Sequence, residues 1–452
     1  MALAAPLSDT AYDAAKFRAV RTQWRYAACY KSRMARPPGE HANTNEQLVA
    51  LAKRSLLGNY KQPPFVLVRG EGSRVEDADG RRYLDLAAGI AVCALGHAHP
   101  KLSAAVAAQA QRLVHTSNLF YNEQSILLAD QLTRRTGFDK VFFCNSGTEA
   151  NEAMLKLGRR WHHEQGDTGR VEFVSTHNSF HGRTMGALSV TGQPKYHVGM
   201  EPLVGGVSFV EYGNLEAMRA AVGPRTAAVI VEPIQAEGGI FVGTDAYLQG
   251  LRAICDERGA LLLFDEIQTG CARTGTFLCR EQSGVWPDAT SLAKGIAGGF
   301  PLGAMLVTAK VANGLPAGSH GTTFGGNSVA CAAGLAVLEV FDTEGVIEMV
   351  ARNGAYLGER LAAIAADVNV PAVSEARGKG LLRGLRLASG VDPMATLARI
   401  RNEGVLLSLA GGDVLRFSPS LLVTRAELDE GLESIERVLR AAVPQAQAQA
   451  TA

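Results

Sequence analysis

From about residue 140 onward, short apolar runs alternate with stretches long enough to form helices. The runs are 140–144 (KVFFC), 171–175 (VEFVS), 227–231 (AAVIV), 260–264 (ALLLF) and 303–308 (GAMLVT). Strands without a polar face must be covered on both sides, so the pattern predicts a mostly parallel sheet between layers of helix. Residues 65–86 (FVLVRGEGSRVEDADGRRYLDL) read instead as short strands, with a turn at Asp79-Gly80. After Pro100, the positions Leu102, Val106, Ala110 and Leu113 recur at helical spacing and predict an amphipathic helix over 101–114. A helical stretch at 328–342 (SVACAAGLAVLEVFD) is followed by helices mixed with short strands at 381–387 and 413–417.

These shifts divide the chain into a central α/β domain over 99–345 and a smaller α+β domain drawn from both ends, 46–98 and 346–443. Residues 1–45 have no clear period and read as an extension, poorly ordered or in contact with a partner. Residues 444–452 (PQAQAQATA) are of low complexity and are expected to be disordered.

Composition narrows the function. The 452 residues are 47% hydrophobic, enough for a large core. Lys and Arg number 45 against 44 Asp and Glu, so no basic field points to nucleic acid and the expected partner is a small molecule. No apolar run is long enough to cross a bilayer. The basic residues of 1–40 are interspersed with Asp9, Asp13 and Glu40 and surround no apolar core, unlike an organelle presequence or a secretion signal. Cys29, Cys93, Cys144, Cys255, Cys271, Cys279 and Cys331 are scattered, without metal-ligand spacing. They read as thiols of a reducing compartment, so the expected location is the cytoplasm and no metal site is expected.

Open parallel sheets bind ligands at the carboxyl ends of their strands, and three such ends carry chemistry. In VFFCNSGTEANE (141–152) a strand runs into a helix whose Ala150, Met154, Leu157 and Trp161 share a face, and Ser146 and Glu149 have capping-box spacing. The free N–H groups of such a helix start, with Gly147 allowing close approach, suit a phosphate; an ordinary capped helix reads the same way. In ALLLFDEIQTG (260–270) an apolar strand delivers Asp265 and Glu266, with Gln268 just beyond. A carboxylate there needs a cation or hydrogen bonds, and either a protonated pyridine nitrogen or a helix start would supply them. In SLAKGIAGGFPLGA (291–304) Lys294 lies among small apolar residues, where desolvation or a nearby cation would lower its pKa and free the amine to attack a carbonyl. A lone Lys-Gly says little. A phosphate cradle, a carboxylate for a ring nitrogen and an amine for an aldehyde together are the three handles of pyridoxal phosphate.

In order and spacing, the segments resemble the class III aminotransferases (ornithine/4-aminobutyrate type) of fold type I, and within them the acetylornithine aminotransferases. The resemblance runs from about residue 48 to about 440. It rests on DLAAGIAVCALGHAHP (85–100), FFCNSGTEANEAMLKLGRR (142–160), SFHGRT (179–184), VEPIQAEGG (231–239), FDEIQTG (264–270), LAKGIAGGFPLGA (292–304) and HGTTFGGN (320–327). It implies an α/β protein of fold type I, with a mostly parallel sheet in its large domain, that binds pyridoxal 5'-phosphate and moves an amino group to 2-oxoglutarate.

Roles follow onto the matching positions. Gly147 and Thr148 would bind the cofactor phosphate, Phe180 would stack on the ring, Asp265 would pair with the ring nitrogen and Gln268 would reach the ring hydroxyl. Lys294 would hold the cofactor as a Schiff base and then move protons. Arg183 would grip the substrate α-carboxylate, and Thr322 would lie near the substrate. Thr323 would reach the phosphate of the neighbouring subunit, so a homodimer with shared sites is expected. Glu237 and Arg416 (in VLRFSPSLLVT) resemble the glutamate–arginine switch of the class, in which the arginine is freed for 2-oxoglutarate or glutamate; a plain structural ion pair is the other reading. Three departures stand out: Thr148 where many acetylornithine enzymes have Ala, Ala236 for the usual Gly, and Ser418-Pro419-Ser420 near the usual double proline. The expected reaction is N-acetylornithine with 2-oxoglutarate, in arginine biosynthesis. Succinylornithine, ornithine, 4-aminobutyrate or another ω-amine are alternative donors. Arg183 counts against an aminomutase of the glutamate-semialdehyde kind, and Lys294 against a non-catalytic binding protein.

Overall fold

The computed structural model describes residues 43–442. The tail at 444–452, and all but the last three residues of the extension at 1–45, lie outside the described residues. Seven strands form the principal sheet: β1 (Lys140–Cys144), β2 (Glu172–Thr176), β3 (Val207–Val210), β4 (Thr226–Val231), β5 (Leu261–Asp265), β6 (Ala289–Leu292) and β7 (Gly303–Val307). Their order is β1-β7-β6-β5-β4-β2-β3. All adjacent pairs are parallel except those of β7, which runs against both β6 and β1.

Period-2 alternation divides the apolar strands between two cores. Ile230, Leu261 and Leu263 pack with Met154 and Leu157 of α1 (Gly147–Glu164) on one face. Val229, Val231, Leu262 and Phe264 pack with Tyr247, Leu251 and Ile254 of α2 (Asp245–Arg258) on the other. Every residue of β4 and β5 is buried. That double burial is why these strands lack a polar face. β3 (VSFV) and β6 (ATSL) escape the sequence expectation for opposite reasons. β3 is partly exposed, while β6 is fully buried but carries hydroxyls, that of Thr290 donating to the Phe264 carbonyl at 2.9 Å.

A second, antiparallel sheet contains β8 (Val373–Lys379), β9 (Leu382–Leu387), β10 (Ser408–Ala410) and β11 (Val414–Phe417), in the order β8-β9-β11-β10. The expected strands at 381–387 and 413–417 are β9 and β11, each one residue shorter at its start. The charged sequence of β8 (VSEARGK) hides it from a hydrophobicity reading.

The described chain forms two compact units. One, residues 43–69 with 76–82, contains the helix Asn45–Ser55, capped by a Thr44–Gln47 capping box. There Asp77 Oδ1 accepts the N–H groups of Asp79 and Arg81, both at 3.0 Å, and so closes the turn expected at Asp79-Gly80. The other unit, residues 70–75 with 83–442 among those described, contains both sheets and all the candidate site residues. Among the described residues, no helix is long and apolar enough to cross a membrane.

The end of β5 sets two carboxylates on opposite faces. Asp265 faces a cavity, whereas Glu266 is fully buried on the other side, accepting the N–H groups of Cys279 (2.5 Å) and Arg280 (2.9 Å) and the Thr269 hydroxyl (3.1 Å). Burial pushes the Glu266 carboxyl up from 4.5 to about 7, against the pull of those donors. The folded protein therefore holds a proton that the unfolded chain releases near pH 4.5. Glu266's contribution to stability is fully present below that pH and is lost as pH rises through about 7, a change on the order of 3 kcal/mol. Denaturant unfolding at pH 5 and pH 8 is expected to show this loss in the native sequence and a flatter dependence in Glu266→Gln.

Candidate active site

The carboxyl ends of β1, β2, β4, β5 and β6 and the start of β7 surround one cavity of about 400 Å³. Of the predicted residues, Gly147, Thr148, Phe180, Arg183, Glu237, Asp265, Gln268 and Lys294 line it. Arg416 reaches this group through Glu237. Thr322 touches the site through its hydroxyl, which accepts from Asn145 Nδ2 at 3.3 Å. Thr323 is exposed and does not line the cavity.

α1 begins at Gly147, behind the N-cap Ser146. The Glu149 side chain turns back to the cap, accepting the Asn145 N–H and the Ser146 hydroxyl, both at 2.8 Å. The first N–H groups of a helix have no intrahelical partners and favour anions. The Thr148 hydroxyl lies 2.8 Å from that of Thr184, joining this helix start to the loop that carries Arg183. Gly182 (φ +134°) makes the approach possible, because a Cβ there would fall 2.2 Å from Thr148 Oγ1.

Asp265 is 4% exposed, and both oxygens of its carboxylate have donors. Oδ2 accepts from Asn151 Nδ2 at 2.7 Å and from His181 Nδ1 at 2.8 Å. Oδ1 accepts from the Ile267 N–H at 3.1 Å and from the Ser291 hydroxyl at 3.4 Å. Asn151 Nδ2 also donates to the His181 carbonyl at 2.7 Å, so two acceptors fix the orientation of its amide. The carboxylate likewise fixes a proton on His181 Nδ1.

Lys294 lies two residues past the end of β6 and has φ +45°, in the left-handed region that favours glycine. Burial is the largest influence on its amine and lowers its pKa, against the opposing pull of Glu237 and Asp265. Arg416, on β11 and 1% exposed, donates to Glu237 Oε1 at 2.5 Å and to Gln268 Oε1 at 3.1 Å. Gln268 Nε2 donates in turn to Glu237 Oε1 at 3.2 Å, so both ends of this amide are taken. Burial alone would raise the Glu237 carboxyl, but Arg416 and then Lys294 draw it below the usual range.

Phe180 reaches the cavity from the loop after β2. Its N–H donates to Glu232 Oε1 at 2.9 Å, and the Ala236 N–H donates to Glu232 Oε2 at 3.1 Å. Burial, with Asp265 nearby, pushes the Glu232 carboxyl well above the usual range. Arg183 is exposed at the rim, its guanidinium 3.6 Å above the Tyr196 ring.

Sequence reasoning assigned no role to Asn151, His181, Glu232 or Tyr196. The first three lie inside the quoted motifs NSGTEANE, SFHGRT and VEPIQAEGG. Their partners, however, are remote: Asn151 and Asp265 are 114 residues apart.

The sequence between residues 57 and 439 matches the family described as "Aminotransferase class-III". An acetylornithine aminotransferase of Myxococcus xanthus is 49% identical over 387 residues, covering 86% of this chain and 96% of that protein. A Pseudomonas aeruginosa protein named succinylornithine transaminase/acetylornithine aminotransferase is 45% identical, over 85% and 95% of the two chains. Among solved structures, the ornithine aminotransferase of Toxoplasma gondii ME49 superposes with a TM-score of 0.86 at 32% identity, over 91% and 97% of the chains. The chain belongs to the class III aminotransferases. It is a pyridoxal-phosphate-dependent transaminase of fold type I, acting on an amino donor and 2-oxoglutarate.

The residues present fit that cofactor. An amine with a lowered pKa, a buried carboxylate at a strand end, an aromatic ring and an anion-favouring helix start converge on one cavity. Among the described residues no cluster of His, Cys, Asp or Glu could hold a metal ion. Asn151→Ala leaves Asp265 Oδ2 with His181 as its single donor. Losing a hydrogen bond to a buried carboxylate costs about 1–3 kcal/mol, so kcat at saturating cofactor is expected to fall by roughly 5- to 150-fold; an unchanged kcat would show that His181 alone suffices.

Proposed function

We propose that this enzyme transfers the distal amine of N-acetylornithine to 2-oxoglutarate, giving N-acetylglutamate semialdehyde and glutamate in arginine biosynthesis. The charge pattern of the cavity carries the donor assignment. Its lining carboxylates among the described residues are Glu232, Glu237 and Asp265. In this reading Asp265, steadied by four donors, serves the ring nitrogen, while Glu232 is held by two backbone N–H groups and Glu237 by Arg416. None of them is left to receive an α-ammonium. Arg183, which has no ion-pair partner among the described residues, is available to a carboxylate. A donor with a free carboxylate and an acylated, uncharged α-nitrogen matches both conditions. Free ornithine would leave a cation without a partner, at a cost of roughly a few kcal/mol. The relatives named acetylornithine aminotransferase support the same reading.

In this reading the start of α1 at Gly147 and Thr148 holds the cofactor phosphate, Phe180 stacks on the ring and Gln268 faces the ring hydroxyl. Asp265 holds the proton on the ring nitrogen. Bound pyridoxal phosphate supplies the electron sink that makes the C–H bond beside the donor amine acidic. Lys294 would hold the cofactor and then serve as base and acid in turn, which its lowered pKa favours. Arg183 grips the α-carboxylate with two parallel N–H bonds, a geometry that guanidinium provides and ammonium does not. Glu237 occupies Arg416 while the donor is bound; its withdrawal frees Arg416 for the second carboxylate of 2-oxoglutarate or glutamate. Thr322 borders the substrate space.

Thr323 completes the phosphate site of the neighbouring subunit in a homodimer. Exposed apolar side chains near it in sequence and along 119–121 support such an interface, with Phe324 59%, Phe120 71% and Tyr121 94% exposed. A cytoplasmic location accords with the six described cysteines, all free.

Two measurements test the reading. With 2-oxoglutarate as acceptor, kcat/KM for N-acetylornithine is expected to exceed that for ornithine and for 4-aminobutyrate by roughly tenfold or more, with Lys294→Ala as a blank that retains cofactor and does not turn over. A preference for ornithine or 4-aminobutyrate would overturn the donor and leave the transaminase class intact. Sedimentation of the holoenzyme is expected to give a dimer or a higher even oligomer, and a fully active monomer would exclude the shared site.

A further inference from the structure

An arginine that binds a free carboxylate at a cavity rim must be held in place before the ligand arrives, or binding must supply the entropy of ordering a long side chain. Arg183 is exposed and makes no ion pair among the described residues, so charge does not hold it. An aromatic surface does. Its guanidinium carbon lies 3.6 Å from the centroid of the Tyr196 ring, a separation that leaves room only for a guanidinium lying flat on the ring face. The Phe180 ring is 5.6 Å from the same carbon and meets Tyr196 edge-on, with centroids 5.9 Å apart and planes at 81°.

The platform is itself anchored. Tyr196 closes the turn Pro194–Tyr196, its N–H donating to the Gln193 carbonyl at 3.0 Å. Buried Gln193 donates to the carbonyls of Asn178 (3.3 Å) and Ser179 (3.2 Å), on the loop that leads into Phe180 and Arg183. On the other side, His197 Nε2 donates to the Thr191 carbonyl at 2.8 Å and the Leu188 carbonyl at 3.1 Å. The loop that carries Arg183 and the turn that carries Tyr196 are thus tied at both ends. Lys195 places a second cation 4.9 Å from the same ring, and it too has no ion-pair partner among the described residues.

We propose that Tyr196 is the positioning residue of the carboxylate subsite: it holds the Arg183 guanidinium flat so that its N–H edge faces the substrate, and thereby sets the preference for carboxylate-bearing donors. The inference rests on the reading of Arg183 as the carboxylate anchor. Cation–π stacking over a tyrosine face accounts for the geometry, and the ring rather than the hydroxyl is the active part.

The test is the half-reaction of the holoenzyme with N-acetylornithine, followed in the cofactor absorbance as a function of donor concentration, beside competitive inhibition by N-acetylnorvaline. That analogue keeps the carboxylate and the acylated nitrogen but has no transferable amine. Tyr196→Ala and Tyr196→Leu are expected to raise the half-saturating concentration and the inhibition constant by roughly 5- to 30-fold, with the limiting rate within about twofold. Tyr196→Phe is expected to match the native enzyme. In an Arg183→Ala background, where both constants are already high, Tyr196→Ala is expected to add nothing. Equal losses in the Phe, Leu and Ala variants, a fall in limiting rate alone, or a full additional loss in the Arg183→Ala background would each overturn the role of Tyr196. If Arg183→Ala by itself leaves both constants unchanged, the anchor reading of Arg183 fails.

Discussion

The site depends on holding one carboxylate in a place that water does not reach. Asp265 sits at the end of a strand whose other residues are all apolar, and an isolated charge there would carry a large desolvation penalty. Four donors from four segments remove that penalty: Asn151 from α1, His181 from the loop after β2, Ser291 from β6, and the N–H of Ile267. Because each donor belongs to a different element, the charge can be held only when the sheet and its helices are correctly assembled. The same requirement explains why this cavity-lining carboxylate is on β5, flanked on both sides by parallel neighbours, rather than at an edge of the sheet.

A second network, around Glu237, works by sharing rather than saturation. Arg416 approaches from the antiparallel sheet, and both Glu237 Oε1 and Gln268 Oε1 accept from the same Nη1. Gln268 bridges the two partners, so Glu237 can leave without stripping Arg416 of every acceptor. Ser408 adds a further acceptor for Arg416 Nε at 3.0 Å. A neutral amide thus stands beside both members of the ion pair and contacts each.

Much of this was legible in the chain, and the parts that were not share a physical reason. The apolar runs announced β2, β4, β5 and β7 because burial on both faces leaves a continuous hydrophobic signature, and β1 is apolar though only its last residue is buried. Asp265 and Gly147 stood out because each closely follows such a run, and Lys294 because it lies among small apolar residues ahead of one. β6 and β8 were hidden because their hydroxyls and charges are satisfied by partners that only the fold supplies. Asn151 and His181 were hidden in the same way, lying in plain view within motifs while the carboxylate they serve is 114 and 84 residues away. Tyr196 gave no signal at all, since a tyrosine in a Pro-containing turn reads as surface until the arginine above it is seen.

The adjacent pair Asp265-Glu266 has a consequence for how the chain can vary. Strand alternation sends one carboxylate to the cavity and its neighbour to the opposite interior, where it keeps its proton to about pH 7. Inserting or deleting one residue within 261–264 would turn Asp265 away from the cavity and its donors into the opposite interior. Length changes in this strand are therefore tolerable only in twos, and lineages of this enzyme are expected to vary freely in the length of the flanking loops while the parity of β5 stays frozen.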